Sequence, residues 1–163
     1  MNIVGMGLIG AIHAIAIALW AGGLYTLAFV VGPVAKKMEK PQIAVAIQKR
    51  MRVFVLGAVP IIAITGILGA RAVRTLLGVD LSSAPEYQRL LIVKIVLVVV
   101  MLIVGLIRQQ ILFGRNRVPG EPLPKPAMKT AHVMLLVNVL LMTAVLVLSG
   151  LLSATGQMLI MRG

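Results

Sequence analysis

Few residues in this chain have chemistry to offer, and one stands out by position. His13 lies in the run His13-Ala-Ile-Ala-Ile-Ala-Leu-Trp20-Ala-Gly22-Gly23, an imidazole and an indole set inside a long apolar segment. An ionisable side chain at that depth in a membrane span is costly, so it is a functional candidate by default. His13 and Trp20 are seven residues apart in the chain, two helical turns, and therefore share a face. An imidazole nitrogen that carries no proton can ligate copper or a haem iron.

The remaining groups narrow the chemistry by exclusion. The four carboxylates, Glu39, Asp80, Glu86 and Glu121, all fall in the connections or, for Glu86, at the very start of the third apolar block. Paired-carboxylate catalysis and a carboxylate proton relay inside a membrane are therefore not expected. There is no cysteine, which removes thiolate nucleophiles, zinc knuckles and iron–sulfur ligation by this chain alone. No catalytic triad, phosphate loop or metalloprotease helix occurs. Imidazole, thioether, amine and guanidinium are what is left.

Met1, Met6, Met158 and Met161 come from the two chain ends, which four antiparallel spans bring to one membrane face. Thioethers with His13 one or two turns below them form a soft donor set suited to Cu(I), although methionine is also ordinary packing material in a membrane. Lys94 lies just inside the third apolar block at a similar depth, where it either faces one pocket with His13 or snorkels to the surface. Met101 shares the Lys94 face. Either Met101 or Lys94, or a partner's residue, is a candidate second axial ligand if His13 holds a haem. Arg71 and Arg74, at i,i+3 spacing, suit either Asp80 or the carboxylates of an anionic ligand such as a haem propionate. The other histidine, His132, starts the fourth block and should lie roughly 20 Å from His13 along the membrane normal, which disfavours ligation of one haem by both.

The elements that must position these groups follow from composition. Of 163 residues 60% are hydrophobic, and the mean hydropathy is +1.07; a soluble domain averages roughly 45–50% apolar residues. The excess sits in four blocks, residues 3–31, 53–77, 84–112 and 131–152, each long enough to cross a hydrocarbon core that takes about 20 residues. The chain reads as a single all-α integral membrane domain, a four-transmembrane-helix bundle. Gly32-Pro33 should end the first span. Pro41 should open a short helix leading toward the second, and Pro60 should kink that span. Ser83 and Glu86 form a capping-box pattern before the third, and Pro119, Pro122, Pro124 and Pro126 favour an extended connection before the fourth. Gly10, Ala14, Ala18 and Gly22 make a small-residue seam for close helix approach, and Asn138 should find an interhelical hydrogen bond.

The net charge of +12 is not a nucleic-acid signature, because only 4% of residues are aromatic and the cations flank the spans. Lys36, Lys37, Lys40, Lys49, Arg50, Arg52, Arg108, Arg115, Arg117, Lys125 and Lys129 group on one side, against Arg71, Arg74, Arg89, Lys94 and Arg162 on the other. Positive-inside bias then places both termini outside, on the periplasmic side of a bacterial or archaeal inner membrane, with the chain multi-pass in the lipid bilayer. The N-terminus carries no basic residue and reads as the first span rather than a cleavable signal.

His13 followed by Trp20-Ala-Gly22-Gly23 resembles the His-x6-Trp-x-Gly-Gly opening of the copper-resistance D (CopD-like) membrane domain. Tyr87-Gln-Arg-Leu-Leu-Ile-Val-Lys94-Ile-Val-Leu resembles its third-span signature, with Arg108 or Arg115 at the place of its following basic residue. The resemblance implies copper handling at the inner membrane, with His13 as ligand and a periplasmic copper chaperone as partner. The larger members of that family carry additional spans. His13, Trp20 and Lys94 also resemble positions in the HemJ-type protoporphyrinogen oxidases, which bind haem b. That family has a further His and an Arg where this chain reads Tyr25-Thr-Leu-Ala-Phe-Val-Val-Gly-Pro33, so the likeness extends to haem binding and not to oxidase activity. Three readings stand: a copper-handling protein, a haem-b-binding electron-transfer or anchoring subunit, and a cofactor-free accessory subunit. None requires catalysis by this chain. All accommodate other membrane subunits or a homo-oligomer.

Overall fold

The computed structural model describes residues 3–77, 85–114 and 124–162. They form α1 (Ile3–Tyr25), a π-helical turn (Thr26–Val31), α2 (Gly32–Lys37), α3 (Pro41–Leu77), α4 (Pro85–Phe113) and α5 (Lys125–Arg162). No strand occurs among the described residues. Four stretches are long and apolar enough to cross a membrane: Val4–Lys37, Ile43–Arg71, Pro85–Phe113 and Lys125–Met158. The protein is an all-α, multi-pass membrane bundle of four spans.

The helices outrun the apolar blocks, and the first junction shows how. Pro33 has no N–H, so an α-helix running through it would leave the Phe29 carbonyl without its partner. The chain widens by one turn instead. The Gly32 N–H donates to the Leu27 carbonyl, five residues back, and Pro33 falls in the first turn of α2, where no donor is needed. A Cβ on Gly32 would sit 3.1 Å from the Leu27 oxygen, so the glycine permits the approach. Gly32-Pro33 therefore does not end the first span, which continues to Lys37. Likewise the segment from Pro41 runs unbroken into the second span as α3. Residues 125–130, expected in an extended connection, are the first turns of α5, where the Thr130 hydroxyl donates to the Pro126 carbonyl at 3.0 Å. Ser83, Pro119 and Pro122 lie outside the described residues.

α1 packs along α3, α4 packs along α5, and α1 also meets α5. The contacts run antiparallel. On α1 and α3, His13 meets Thr65 while Gly23 meets Met51. On α4 and α5, Tyr87 meets Gly156, Gly105 meets Asn138 and Arg108 meets Ala131. The shared core draws on all four spans: Trp20 and Leu24 of α1, Ala58 of α3, Met101 of α4, and Val139 and Met142 of α5. Met101 and Met142 are the most completely buried large side chains, each 1% exposed, as suits unbranched thioethers filling irregular gaps. Around this core, Leu8, Leu19, Val53, Leu106 and Leu140 are exposed, and a lipid medium accommodates such a surface.

The small-residue seam is left open. Gly10, Ala14, Ala18 and Gly22 are all exposed, so no helix among the described residues closes on them. α3 packs instead on the adjacent stripe, where Ala16 and Trp20 are buried and His13 is half-buried. Asn138 departs from expectation: its Oδ1 is buried with no hydrogen-bond partner among the described residues.

α2 ends in a six-residue reverse cap. The Glu39 N–H donates to the Lys36 carbonyl, the Lys40 N–H to the Ala35 carbonyl, and Glu39 takes φ 54°. This is the Schellman arrangement, in which the left-handed position normally falls to glycine. A Cβ there costs about 1 kcal/mol. Glu39→Gly should therefore raise the thermal unfolding midpoint of the detergent-solubilised protein, whereas Glu39→Val should lower it; an unchanged midpoint in both would contradict the assignment.

Candidate functional site

Four polar side chains are buried among the described residues: Gln48, Thr65, Arg108 and Asn138. With no water in the hydrocarbon core, each must find partners inside the protein. Two of them, Thr65 and Arg108, organise the polar sites of the molecule.

Thr65 lies on α3 facing His13 of α1. His13 Nδ1 and Thr65 Oγ1 are 2.8 Å apart. The same hydroxyl donates to the Ile61 carbonyl at 2.5 Å, the usual bond of a threonine to the preceding helical turn. A hydroxyl has one proton. With that proton directed at the Ile61 carbonyl, Oγ1 accepts from the ring in the tautomer that carries its proton on Nδ1, and in that tautomer Nε2 keeps its lone pair. Holding one nitrogen through its proton is how proteins fix a histidine to ligate through the other. A Cβ on Gly66 would lie 3.5 Å from His13 Cε1, so the ring packs against the α3 backbone.

Lys94 lies on α4. It is half-buried, on the inward face that also carries Met101 and Arg108. Trp20, two turns along from His13, is 6% exposed and belongs to the core rather than to an interfacial belt. Met101 is in that same core. Met6 is half-buried on α1, and helical rise separates it from His13 by about 10 Å along the axis. Met158 is 59% exposed near the end of α5, and Arg71 is exposed near the end of α3. Met1 and the side chains of Met161 and Arg74 lie outside what the structure describes, as does Asp80. No group of three or more His, Cys, Asp or Glu gathers among the described residues, so donors to a metal here would be His13 with thioethers, an amine or a partner's groups.

Sequence reasoning placed His13 against a helix but did not find Thr65. The available signal was a hydroxyl beside a glycine, Thr65-Gly66, within an apolar block; which turn of α1 it would meet depended on helix register. The second polar centre was also missed as a unit. Arg108 Nε donates to the Ala131 carbonyl at 3.0 Å and Nη2 donates to Gln48 Oε1 at 2.7 Å, tying α4 to α5 and α3. A third link joins α1 to α5: Thr143 Oγ1 gives its proton to the Val139 carbonyl, so the Tyr25 hydroxyl, 2.8 Å away, is the donor to Thr143.

The fold and site together define a four-span membrane protein with an imidazole hydrogen-bonded to a threonine between its first two spans. No family model matches the chain, and no match was found among curated proteins or solved structures.

Thr65→Val should leave the ring N–H without its acceptor and cost about 1–3 kcal/mol of stability, while Thr65→Ser should retain most of it. Denaturant titration in mixed micelles checks the pair. Equal losses for Val and Ser would mean that the threonine methyl, and not the hydrogen bond, matters.

Proposed function

We propose that this chain is a CopD-like protein that handles copper at a bacterial or archaeal inner membrane, with His13 Nε2 as the ligand. The observation that carries the reading is the Thr65 bond, which directs the ring proton to Nδ1 and leaves Nε2 free for a soft cation. With both termini on the periplasmic side, Met6 stands about two turns outside His13. The two are then successive stations along α1 rather than ligands of one ion. Met1, Met158 and Met161 would offer thioethers at the same mouth, and a periplasmic copper chaperone is the partner that would deliver to it. The same reading makes Lys94, a cation on the inward face of α4, an adversary of the copper ion.

A second reading, a haem-b-binding subunit of a larger membrane complex, is favoured by that same lysine. A lysine on the inward face of α4, together with an imidazole on α1, suits a ligand that combines an iron with carboxylates. His13 would hold the iron. Lys94, with Arg71 and Arg74, would face the propionates, and Met101 or a partner's residue would complete the axial pair. Haem would supply one-electron chemistry. The chain's contribution would be to fix the ring through Thr65 and exclude water through the Trp20 core.

Lys94 separates the two. Under the copper reading, Lys94→Leu should tighten Cu(I) binding roughly tenfold by removing a like charge, and His13→Ala should abolish stoichiometric Cu(I). Under the haem reading the purified protein should show a Soret band that shifts on reduction and is lost in His13→Ala, and Lys94→Leu should weaken haem retention. Cu(I) retained at full stoichiometry by His13→Ala would overturn the first reading. Neither copper nor haem in the wild-type protein would leave the cofactor-free accessory role, with the exposed Gly10–Gly22 seam as the surface for another membrane subunit or a second copy.

A further inference from the structure

The Arg108 centre stands apart from the His13 site, and its partners leave an excess of donors. A guanidinium carries five N–H groups. Among the described residues Arg108 meets only two acceptors, the Ala131 carbonyl and Gln48 Oε1, and neither is charged. The Gln48 amide is held in one orientation, because its oxygen accepts from Arg108. Its Nε2 is then buried with no partner, on a residue only 5% exposed. Arg108 itself is 8% exposed. A buried cation beside a buried unpaired N–H2 is a site that lacks an acceptor carrying negative charge.

The position suggests where that acceptor comes from. Arg108 lies five residues before the end of α4 at Phe113, and Gln48 lies seven residues into α3 from Pro41. About one to two helical turns therefore separate the centre from the helix ends, which is the depth at which headgroups and glycerol meet the hydrocarbon of a bilayer. The approach is cationic. Lys49 and Arg50 follow Gln48 directly, Arg52 is one turn further along its face, and Lys129 precedes Ala131 by two residues; all four are exposed. Basic clefts between spans are the usual seats of anionic lipid headgroups.

We infer that the polar junction of α3, α4 and α5 binds the phosphodiester of an anionic phospholipid, with Arg108 and Gln48 Nε2 as donors to the phosphate and Lys49, Arg50, Arg52 and Lys129 as the electrostatic rim. Arg108 pairs with phosphate through charge-assisted hydrogen bonds, and Gln48 completes the cradle through the N–H2 left unmatched inside the protein. Bound lipid would then tie the second, third and fourth spans together at one membrane face.

The test is lipid-dependent stabilisation of the full chain in neutral detergent, with native mass spectrometry of retained lipid. Phosphatidylglycerol should raise the unfolding midpoint and remain bound, and phosphatidylcholine should do neither. Gln48→Leu, which keeps the volume and removes the amide, should weaken phosphatidylglycerol binding about tenfold, and Arg108→Lys by at least as much. Arg89→Gln, at the other end of α4, should leave it unchanged. Should Arg108→Lys fail to fold, Gln48→Leu decides alone, since its lipid increment is read against its own lipid-free midpoint. Equal stabilisation by phosphatidylglycerol and phosphatidylcholine, an undiminished increment in Gln48→Leu, or an equal effect of inorganic phosphate without lipid would each overturn the assignment.

Discussion

A single hydroxyl proton determines what His13 can do. Thr65 sits where water is absent, so its proton goes to the nearest carbonyl, that of Ile61. Its oxygen then has only acceptance to offer, and the ring of His13 meets it with Nδ1–H. The other nitrogen becomes a lone pair held in a fixed direction against the α3 backbone. In water neither preference would persist, because solvent would satisfy both partners; in hydrocarbon the alternatives are costly. The antiparallel packing of α1 on α3 brings the two residues to one level, so the state of the imidazole and the architecture of the bundle are one constraint.

The same logic governs the opposite end. Arg108 cannot lie against lipid without acceptors, and it finds them on two other spans. Between the two polar centres lies an interior of thioether, indole and small aliphatic groups, with Met101 and Met142 at its heart. That interior joins the four spans by packing, since burial from water supplies little drive between helices already in lipid. Thr143 adds a directional bond to the same assembly, accepting from Tyr25 where α1 meets α5.

Much of the architecture was legible in the chain because lipid imposes strong patterning. Four apolar blocks of sufficient length can do little else than span, and Lys94, Met101 and Arg108 share a face by spacing alone, which the structure turns inward. The helix ends were less legible. Pro33 reads locally as a stop, yet a π-turn absorbs its missing donor, an adjustment that depends on the Leu27 carbonyl being free to take the Gly32 N–H. The seam of Gly10, Ala14, Ala18 and Gly22 marks a surface that allows close approach, but pattern does not say whether a helix of the same chain takes it; among the described residues none does. His13 could be singled out as an ionisable group inside an apolar block, whereas Thr65 and Gln48 could not. Their significance lies in partners 52 and 60 residues away, and helix register, not composition, brings those together.

The account rests on the tautomer of His13, and nitrogen-15 solid-state NMR of the imidazole in lipid bilayers reads it directly. A neutral ring protonated at Nδ1, whose Nε2 signal alone moves when Cu(I) or haem is added, is the predicted result. A ring protonated at Nε2, or one whose two nitrogens exchange freely as they would in water, would contradict it.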